Sequence, residues 1–377
     1  MPPVVLDVAQ ADDARDIVHR AVQALAEGQL VALPTETVYG VAASATHPEA
    51  VARLAASRGS TAPLPLAIKN AEDAEDYAPG WGPIAARLAR RCWPGPVTLV
   101  VDANAEEGLI GRLPKEALPH LCPRGAVGLR APAKQLVQDI LRMVAGPIAL
   151  TGLGPGASPG ATNAQQCVDA LGEQLALVVD GGPAHYGQES SVVRIGSDGF
   201  EVTREGVVGR QTIERLSRMV VVLVCTGNTC RSPMAEALMR HHLAERLGVD
   251  SDELETAGVM VASAGVSAAL GSPASRETAE LMRERGLAID AHAAQQLTDH
   301  LARHADLLIA MTPGHVDAIV THWPEAAGRV KLLDPVGRAI SDPIGGPIDV
   351  YRECCEQIER GVEHHADRVA ATLRPAG

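Results

Sequence analysis

Aromatic side chains are scarce in this chain: three tryptophans, four tyrosines and one phenylalanine, Phe200, make up 2% of its 377 residues. Any core must therefore be packed by aliphatic side chains. The 46% apolar content supplies enough for two domains, the number that the length suggests. An excess of positive charge is also missing. The formal net charge is −13, with 19 basic and 24 acidic residues up to position 218 and 14 and 22 after it. Neither half is a nucleic-acid binder by composition. No apolar run approaches the ~20 residues of a spanning helix. The start, Met1-Pro2-Pro3-Val4, lacks a basic segment followed by an apolar one. The seven cysteines (Cys92, Cys122, Cys167, Cys225, Cys230, Cys354 and Cys355) are odd in number and show no zinc-type spacing. The expectation is a cytoplasmic protein with reduced thiols, no membrane segment and no metal site.

What is present is an alternation of apolar strand-like runs and helical periodicity. Residues 11–28 repeat Ala14, Ile17, Val18, Ala21, Val22 and Leu25 at helical spacing. Helices are predicted at 48–57, 83–93 and 133–145, and strands at 30–33, 97–101, 127–130, 148–151, 175–179 and 191–195. The Gly/Pro-rich stretch 152–160 reads as a flexible loop. A turn and helix over 205–218 link to a second half, which alternates more regularly. Strands are predicted there at 220–224, 259–264, 306–311 and 329–333, and helices at 233–247, 274–286, 298–304, 313–321 and 348–373. Such alternation implies a parallel sheet covered on both faces. The predicted domains are 1–215 and 219–377. His241-His242 and His364-His365 fall on amphipathic helices and read as solvated faces, and Asp250–Glu255 as a surface loop.

The most specific stretch is Val220–Val224 followed by Cys225-Thr226-Gly227-Asn228-Thr229-Cys230-Arg231-Ser232-Pro233. A loop between a buried strand and a helix can turn the N–H groups of Thr226, Gly227, Asn228, Thr229 and Cys230 onto a phosphate, aided by the helix N-terminus. The same field favours the thiolate of Cys225. Arg231 offers a planar fork for two phosphate oxygens. Gly227 is expected to supply an unusual backbone angle, and Asn228 tolerates a left-handed one. Ser232 reads as the helix N-cap with Pro233 at the first position, and its hydroxyl can donate to the Cys225 sulfur.

These residues, with Ser263-Ala264-Gly265, Ala305–Met311 and Asp342-Pro343, make residues 219–375 resemble the low-molecular-weight protein tyrosine phosphatase family. The resemblance implies a doubly wound, four-stranded parallel sheet and no cofactor. It also implies Cys225 as nucleophile, Arg231 as phosphate clamp, a phosphocysteine intermediate, and the aspartate of an Asp-Pro pair as general acid on a phosphorylated protein substrate. Of two such pairs, Asp342-Pro343 is followed by Ile-Gly-Gly-Pro-Ile-Asp-Val-Tyr351 and is assigned the acid; Asp334 ends a strand. Tyr351 either lines the pocket mouth or packs at the start of the last helix. Thr229 stands where tyrosine-directed members carry a bulky aliphatic residue and the protein-arginine phosphatase subgroup carries Thr. Its hydroxyl, with Asp342, suits a guanidinium, so phosphoarginine is expected over phosphotyrosine; the alternative is that Thr229 merely packs. The resemblance also implies a reversible Cys225–Cys230 disulfide, with a buried structural thiol at Cys230 as the alternative.

In the first half, polar Thr35, Glu36 and Thr37 follow a buried strand, where α/β folds hold ligands. With Tyr39, Trp93–Thr98, Gly128–Pro132, Glu189–Val193 and Arg204-Glu205-Gly206, residues 14–210 resemble the YrdC-like threonylcarbamoyl-AMP synthase family. That resemblance implies a twisted mixed sheet and a nucleotide pocket. It further implies ATP with Mg, threonine and bicarbonate as reactants, an indirect link to tRNA modification, and double-stranded RNA binding. Candidate ligand-binding residues are Thr35, Tyr39, Arg58, Arg130, Thr151, Ser190 and Arg204. The family's Lys-Gly-Arg-Pro is replaced by Arg58-Gly59-Ser60-Thr61, and its Ser-Ala-Asn by Thr151-Gly152-Leu153-Gly154, which puts the ATP chemistry in doubt. Three readings follow: both halves are enzymes; only the phosphatase works and the first half binds a ligand or partner; or a synthase carries a regulatory phosphatase tail.

Overall fold

Buried aliphatic strands organise each half of the chain separately. The structure is a computed structural model that describes residues 2–59, 62–104, 106–153, 160–197, 199–287 and 289–373. It divides into two units, Met1–Leu216 and Ser217–Gly377.

The first unit holds ten strands: β1 (Val4–Asp7), β2 (Val31–Pro34), β3 (Tyr39–Ser44), β4 (Leu66–Ala67), β5 (Val97–Asp102), β6 (Ala126–Arg130), β7 (Ile148–Gly152), β8 (Leu177–Asp180), β9 (Ser191–Gly196) and β10 (Gly199–Arg204). They form one sheet in the order β1-β8-β2-β3-β7-β4-β6-β5-β9-β10. The sheet is mixed: β1 and β2 both run parallel to β8, whereas β3 is antiparallel to β2 and to β7. Alternation along β2 explains why both faces are covered. Val31 and Leu33 pack with Ile17, Val18 and Leu25 of helix Ala14–Ala26 and with Val137 and Ile140 of helix Gln135–Met143. Leu30 and Ala32 belong to the core on the opposite face. With one phenylalanine in the chain, that core is built from Ala, Val and Leu, with Tyr39 its largest fully buried side chain. Sequence periodicity does not predict β1, β3, β4 or β10. β4 is two residues long, and β3 reads Tyr-Gly-Val-Ala-Ala-Ser, too small-residued to signal a strand.

The second unit has four parallel strands, β11 (Met219–Cys225), β12 (Val259–Gly265), β13 (Leu307–Ala310) and β14 (Val330–Leu332), in the order β12-β11-β13-β14. Every residue of β11 is buried, as a central parallel strand covered on both faces requires. Val221, Leu223 and Cys225 face helices Arg231–Leu247 and Ile348–Leu373, while Val220, Val222 and Val224 face Leu297, Ala302, Ile319 and Trp323. At about 1.5–3 kcal/mol per buried aliphatic side chain, β11 is the best anchored platform of the unit, and its C-terminal end carries Cys225. The last helix lies close to the loop after β14: a Cβ at Gly361 would sit 2.6 Å from the Leu333 carbonyl oxygen. Among the described residues no helix is long and apolar enough to cross a membrane.

Candidate active site

Cys225 ends β11 and is 2% exposed. Its Sγ accepts the Asn228 N–H at 3.3 Å and lies 2.9 Å from Ser232 Oγ. The intervening loop closes because Asn228 adopts φ 55°. Gly227, expected to supply the unusual angle, is not among the residues with positive φ; Asn228 takes the left-handed conformation instead. The side chain of Asn228, fully buried, holds it there. Nδ2 donates to Ser232 Oγ and Ser263 Oγ, both at 2.9 Å, and Oδ1 accepts Gln295 N at 2.8 Å. Ser263 in turn donates to Glu236 Oε2 at 2.6 Å. Gly265, at the end of β12, has no room for a Cβ because the Thr226 carbonyl oxygen lies against it. The helix after the loop begins at Arg231 with Cys230 at the N-cap and no side-chain cap bond. This corrects the expected Ser232 cap: the Ser232 hydroxyl is engaged with Asn228 and the Cys225 sulfur instead.

Arg231 is 5% exposed and reaches across the loop. Its Nη2 pairs with Asp342 Oδ2 at 2.5 Å, and Nη1 donates to Ile340 O at 3.4 Å. The other Asp-Pro aspartate is occupied locally: Asp334 accepts Val336 N at 2.8 Å and Arg338 Nε at 3.0 Å. The geometry thus brings Asp342, not Asp334, to the arginine.

Thr229 is half-buried, with Oγ1 3.7 Å from Cys230 Sγ, and its carbonyl accepts Ser275 N at 2.9 Å. Of the two readings of Tyr351, the burial of its side chain fits packing at the start of the last helix. Tyr351 is 2% exposed, its hydroxyl lies 3.6 Å from Cys230 Sγ, and burial pushes its pKa up to about 12. It packs behind the loop. Cys225 and Cys230 are both free thiols. Cys354 and Cys355 are buried on the last helix, where desolvation pushes them up to about 12 and about 11. The expectation of solvated histidine pairs fails for one member of each, since His242 and His365 are buried. His365 Nε2 lies 2.9 Å from Leu332 O. His241, His242 and Glu245 bring three donor atoms within 4.8 Å of one another. Within Asp250–Glu255, Ser251–Glu253 forms a 3-10 turn closed by a capping box from Asp250.

One neighbour of the loop escaped sequence analysis. His315 Nε2 lies 2.9 Å from Thr226 Oγ1, and Nδ1 lies 3.0 Å from Thr312 Oγ1. The sequence carries a helix-start signal, Thr312-Pro313, but nothing linear connects it to a loop 89 residues away.

In the first unit, a cavity of about 310 Å³ is lined by Arg58, Thr98, Arg130, Thr151, Ser190 and Arg204, among others. Arg130 Nη2 pairs with Glu36 Oε1 at 2.6 Å and donates to Thr37 Oγ1 at 3.0 Å. Burial pulls the Arg130 pKa down and Glu36 opposes this. Arg204 pairs with Glu189 at 2.6 Å and donates to Ser190 Oγ at 3.2 Å. Arg58 donates to the carbonyls of Ala62 and Pro63; burial, then Arg204, pulls its pKa down. Three guanidiniums against two carboxylates leave the cavity net positive, which suits an anion. Thr35 and Tyr39 do not line it. Thr35 Oγ1 is held by Thr37 and Val38 O within its own turn, and Tyr39 is a core residue whose hydroxyl donates to Gly182 O at 2.7 Å. Ser60, Thr61 and residues 154–159 of the glycine-rich stretch lie outside the described residues.

Comparison with known proteins follows the same division. Residues 23–206 match the family described as telomere recombination (Sua5/YciO/YrdC), and residues 220–374 match low molecular weight phosphotyrosine protein phosphatase. A protein-arginine-phosphatase of Geobacillus stearothermophilus is 37% identical over 40% of this chain and 95% of its own length. A solved structure of YwlE arginine phosphatase from the same organism is 36% identical, covering 41% of this chain and 94% of that one, with a TM-score of 0.36. A threonylcarbamoyl-AMP synthase of Pyrococcus abyssi is 32% identical over 50% of this chain, which spans only 54% of that relative's length.

Proposed function

Residues 220–374 belong to the low molecular weight phosphotyrosine protein phosphatase family, and from that premise we propose a cysteine-dependent protein phosphatase joined to a YrdC-like anion-binding domain. The observation that carries the reading is the convergence of Cys225 Sγ, the Asn228 N–H, Ser232 Oγ and the Arg231–Asp342 pair around one loop. In this reading a phosphorylated side chain docks its phosphoryl oxygens on the loop N–H groups and on Arg231, displacing Asp342. The Cys225 thiolate forms an S–P bond as the bond to the leaving group breaks, and Asp342, which takes up a proton from water on leaving Arg231, gives that proton to the leaving atom. The Asp342 carboxylate then takes a proton from water, which cleaves the S–P bond and releases phosphate. No step calls on a cofactor.

The preferred substrate is phosphoarginine. Thr229 supports this, since its hydroxyl provides an acceptor for guanidinium N–H groups that an aliphatic side chain would leave unpaired. Turnover of matched phosphoarginine and phosphotyrosine peptides tests it. The wild type should favour phosphoarginine, and Thr229→Ile should tilt the ratio toward phosphotyrosine. An equal or better rate on phosphotyrosine in the wild type would refute it.

For the first unit the net positive cavity supports binding of a phosphate-bearing nucleotide by Arg58, Arg130 and Arg204. Assay of threonylcarbamoyl-AMP formation from threonine, bicarbonate and Mg-ATP separates two readings. Product would make the unit a synthase of the tRNA modification pathway, and nucleotide binding without product would make it a binding module. Reduced thiols throughout fit a cytoplasmic setting.

A further inference from the structure

His315 is 7% exposed, at the third position of helix Pro313–His322, yet both of its ring nitrogens have partners. The hydrogen bonds accommodate the tautomer with its proton on Nε2. Thr312 Oγ1 accepts the His315 backbone N–H at 3.3 Å, so the Thr312 hydroxyl hydrogen is available for Nδ1. In that tautomer Nε2–H donates to Thr226 Oγ1. The neutral ring this requires is the form favoured there: burial first, then Arg231, pulls the His315 pKa down, with Asp342 opposing. Thr226 is the first residue after the nucleophile and is exposed. Once its oxygen accepts from His315, its own hydrogen is free to point at an anion held by the loop.

The two ends of the loop are therefore braced differently. Asn228 is tied from one side by Ser232, Ser263 and Gln295. Thr226 is tied by its backbone carbonyl to Ser267 N at 3.0 Å and, through its side chain, by His315. Without His315 the Thr226 hydroxyl would rotate freely, and each phosphate bound would bear the cost of ordering it.

We infer that His315 is a positioning residue of the phosphate loop, which orients the Thr226 hydroxyl as a donor to the bound phosphoryl group. This rests on the phosphatase reading of the same loop, and the test separates the two. Inorganic phosphate is the probe, and its dissociation constant is read from protection of Cys225 against iodoacetamide, followed on the Cys225 peptide by mass spectrometry. No turnover is needed. His315→Ala and Thr226→Val should each weaken phosphate about fivefold, the worth of one hydrogen bond. The double variant should be no weaker than the poorer single one, because each substitution breaks the same link. His315→Gln, whose amide can still donate, should recover most of the loss; it carries the test if His315→Ala does not fold. Single losses that multiply in the double variant, or a His315→Ala dissociation constant matching the wild type, would overturn the inference. A wild type protected by phosphate but inert toward every phosphopeptide would overturn the phosphatase reading alone. A wild type that phosphate does not protect would overturn both.

Discussion

Arg231 Nη2 and Asp342 Oδ2 stand 2.5 Å apart, so the cation that would clamp a phosphate is paired with the carboxylate that would protonate its leaving group. The two side chains differ in exposure, 6% for Arg231 and 45% for Asp342. Water at Asp342 screens the pair from that side. A phosphoryl dianion on the loop N–H groups can exchange for Asp342, and the released side chain, once protonated, can serve the leaving atom.

Asp342→Asn should accordingly separate chemistry from binding. The turnover number is expected to fall about 10²–10⁴-fold, the usual contribution of a general acid. Inhibition by inorganic phosphate should be no weaker than in the wild type, since a competitor for Arg231 has been removed. Steady-state kinetics with phosphate as inhibitor check both halves. A variant that loses phosphate affinity but keeps its turnover number would show that Asp342 supports the clamp rather than the leaving group.

Asn228 should matter more to folding of the loop than its small size suggests. Asn228→Ala keeps a Cβ at φ 55° and strands the partners of three hydrogen bonds, an expected loss of about 2–4 kcal/mol. Asn228→Gly loses the same bonds but not the backbone freedom, and should be less destabilised by about 1 kcal/mol. Hydrogen exchange of the Val221–Val224 amides, which lie in β11, reports the stability of this unit. An Ala variant as stable as the Gly variant would mean that the left-handed angle costs nothing here.

The sequence made the strand–loop–helix frame around Cys225 legible because the signals are local: a valine run, a cysteine and an arginine six positions apart, and a helix after them. The long closing helix was equally plain from its buried spacing. Asp342 is assigned over Asp334, which stands in the same dipeptide, by the Ile-Gly-Gly-Pro-Ile-Asp-Val-Tyr351 segment after it; in the structure Asp334 closes its own turn with Arg338. Other features depend on tertiary contacts that leave no linear trace. Tyr351 turns inward toward Cys230, Asn228 ties Ser232 away from the helix cap, and His315 meets Thr226 from a different crossover. In the first unit Thr35 and Tyr39 sit at a polar strand end as expected, but their hydroxyls are used up in the turn and the core, and Thr37 takes the place beside Arg130.

The buried histidines predict an acid-sensitive second unit. Burial pulls the pKa of His365 down, as it does for His315, so the folded state resists protonation at both. The unfolded chain, with histidine near 6.5, binds more protons in the window just below that value. Stability contributed by these groups is complete above about pH 6.5 and is lost as pH falls toward the lowered folded values. Exchange of the Val221–Val224 amides should therefore slow less from pH 7 to 5 than base-catalysed intrinsic exchange does, and His365→Gln should bring the slope closer to the intrinsic one. An unchanged slope in the variant would remove His365 from the account.

The central claim is that Cys225 attacks phosphorus. The direct measurement is mass spectrometry of the Cys225 peptide, acid-quenched during turnover of a phosphoarginine peptide, beside the same assay on Cys225→Ser. The account predicts a phosphate on Cys225 of the wild type and no detectable turnover by the variant. A Cys225→Ser protein that hydrolyses the peptide at the wild-type rate would contradict it.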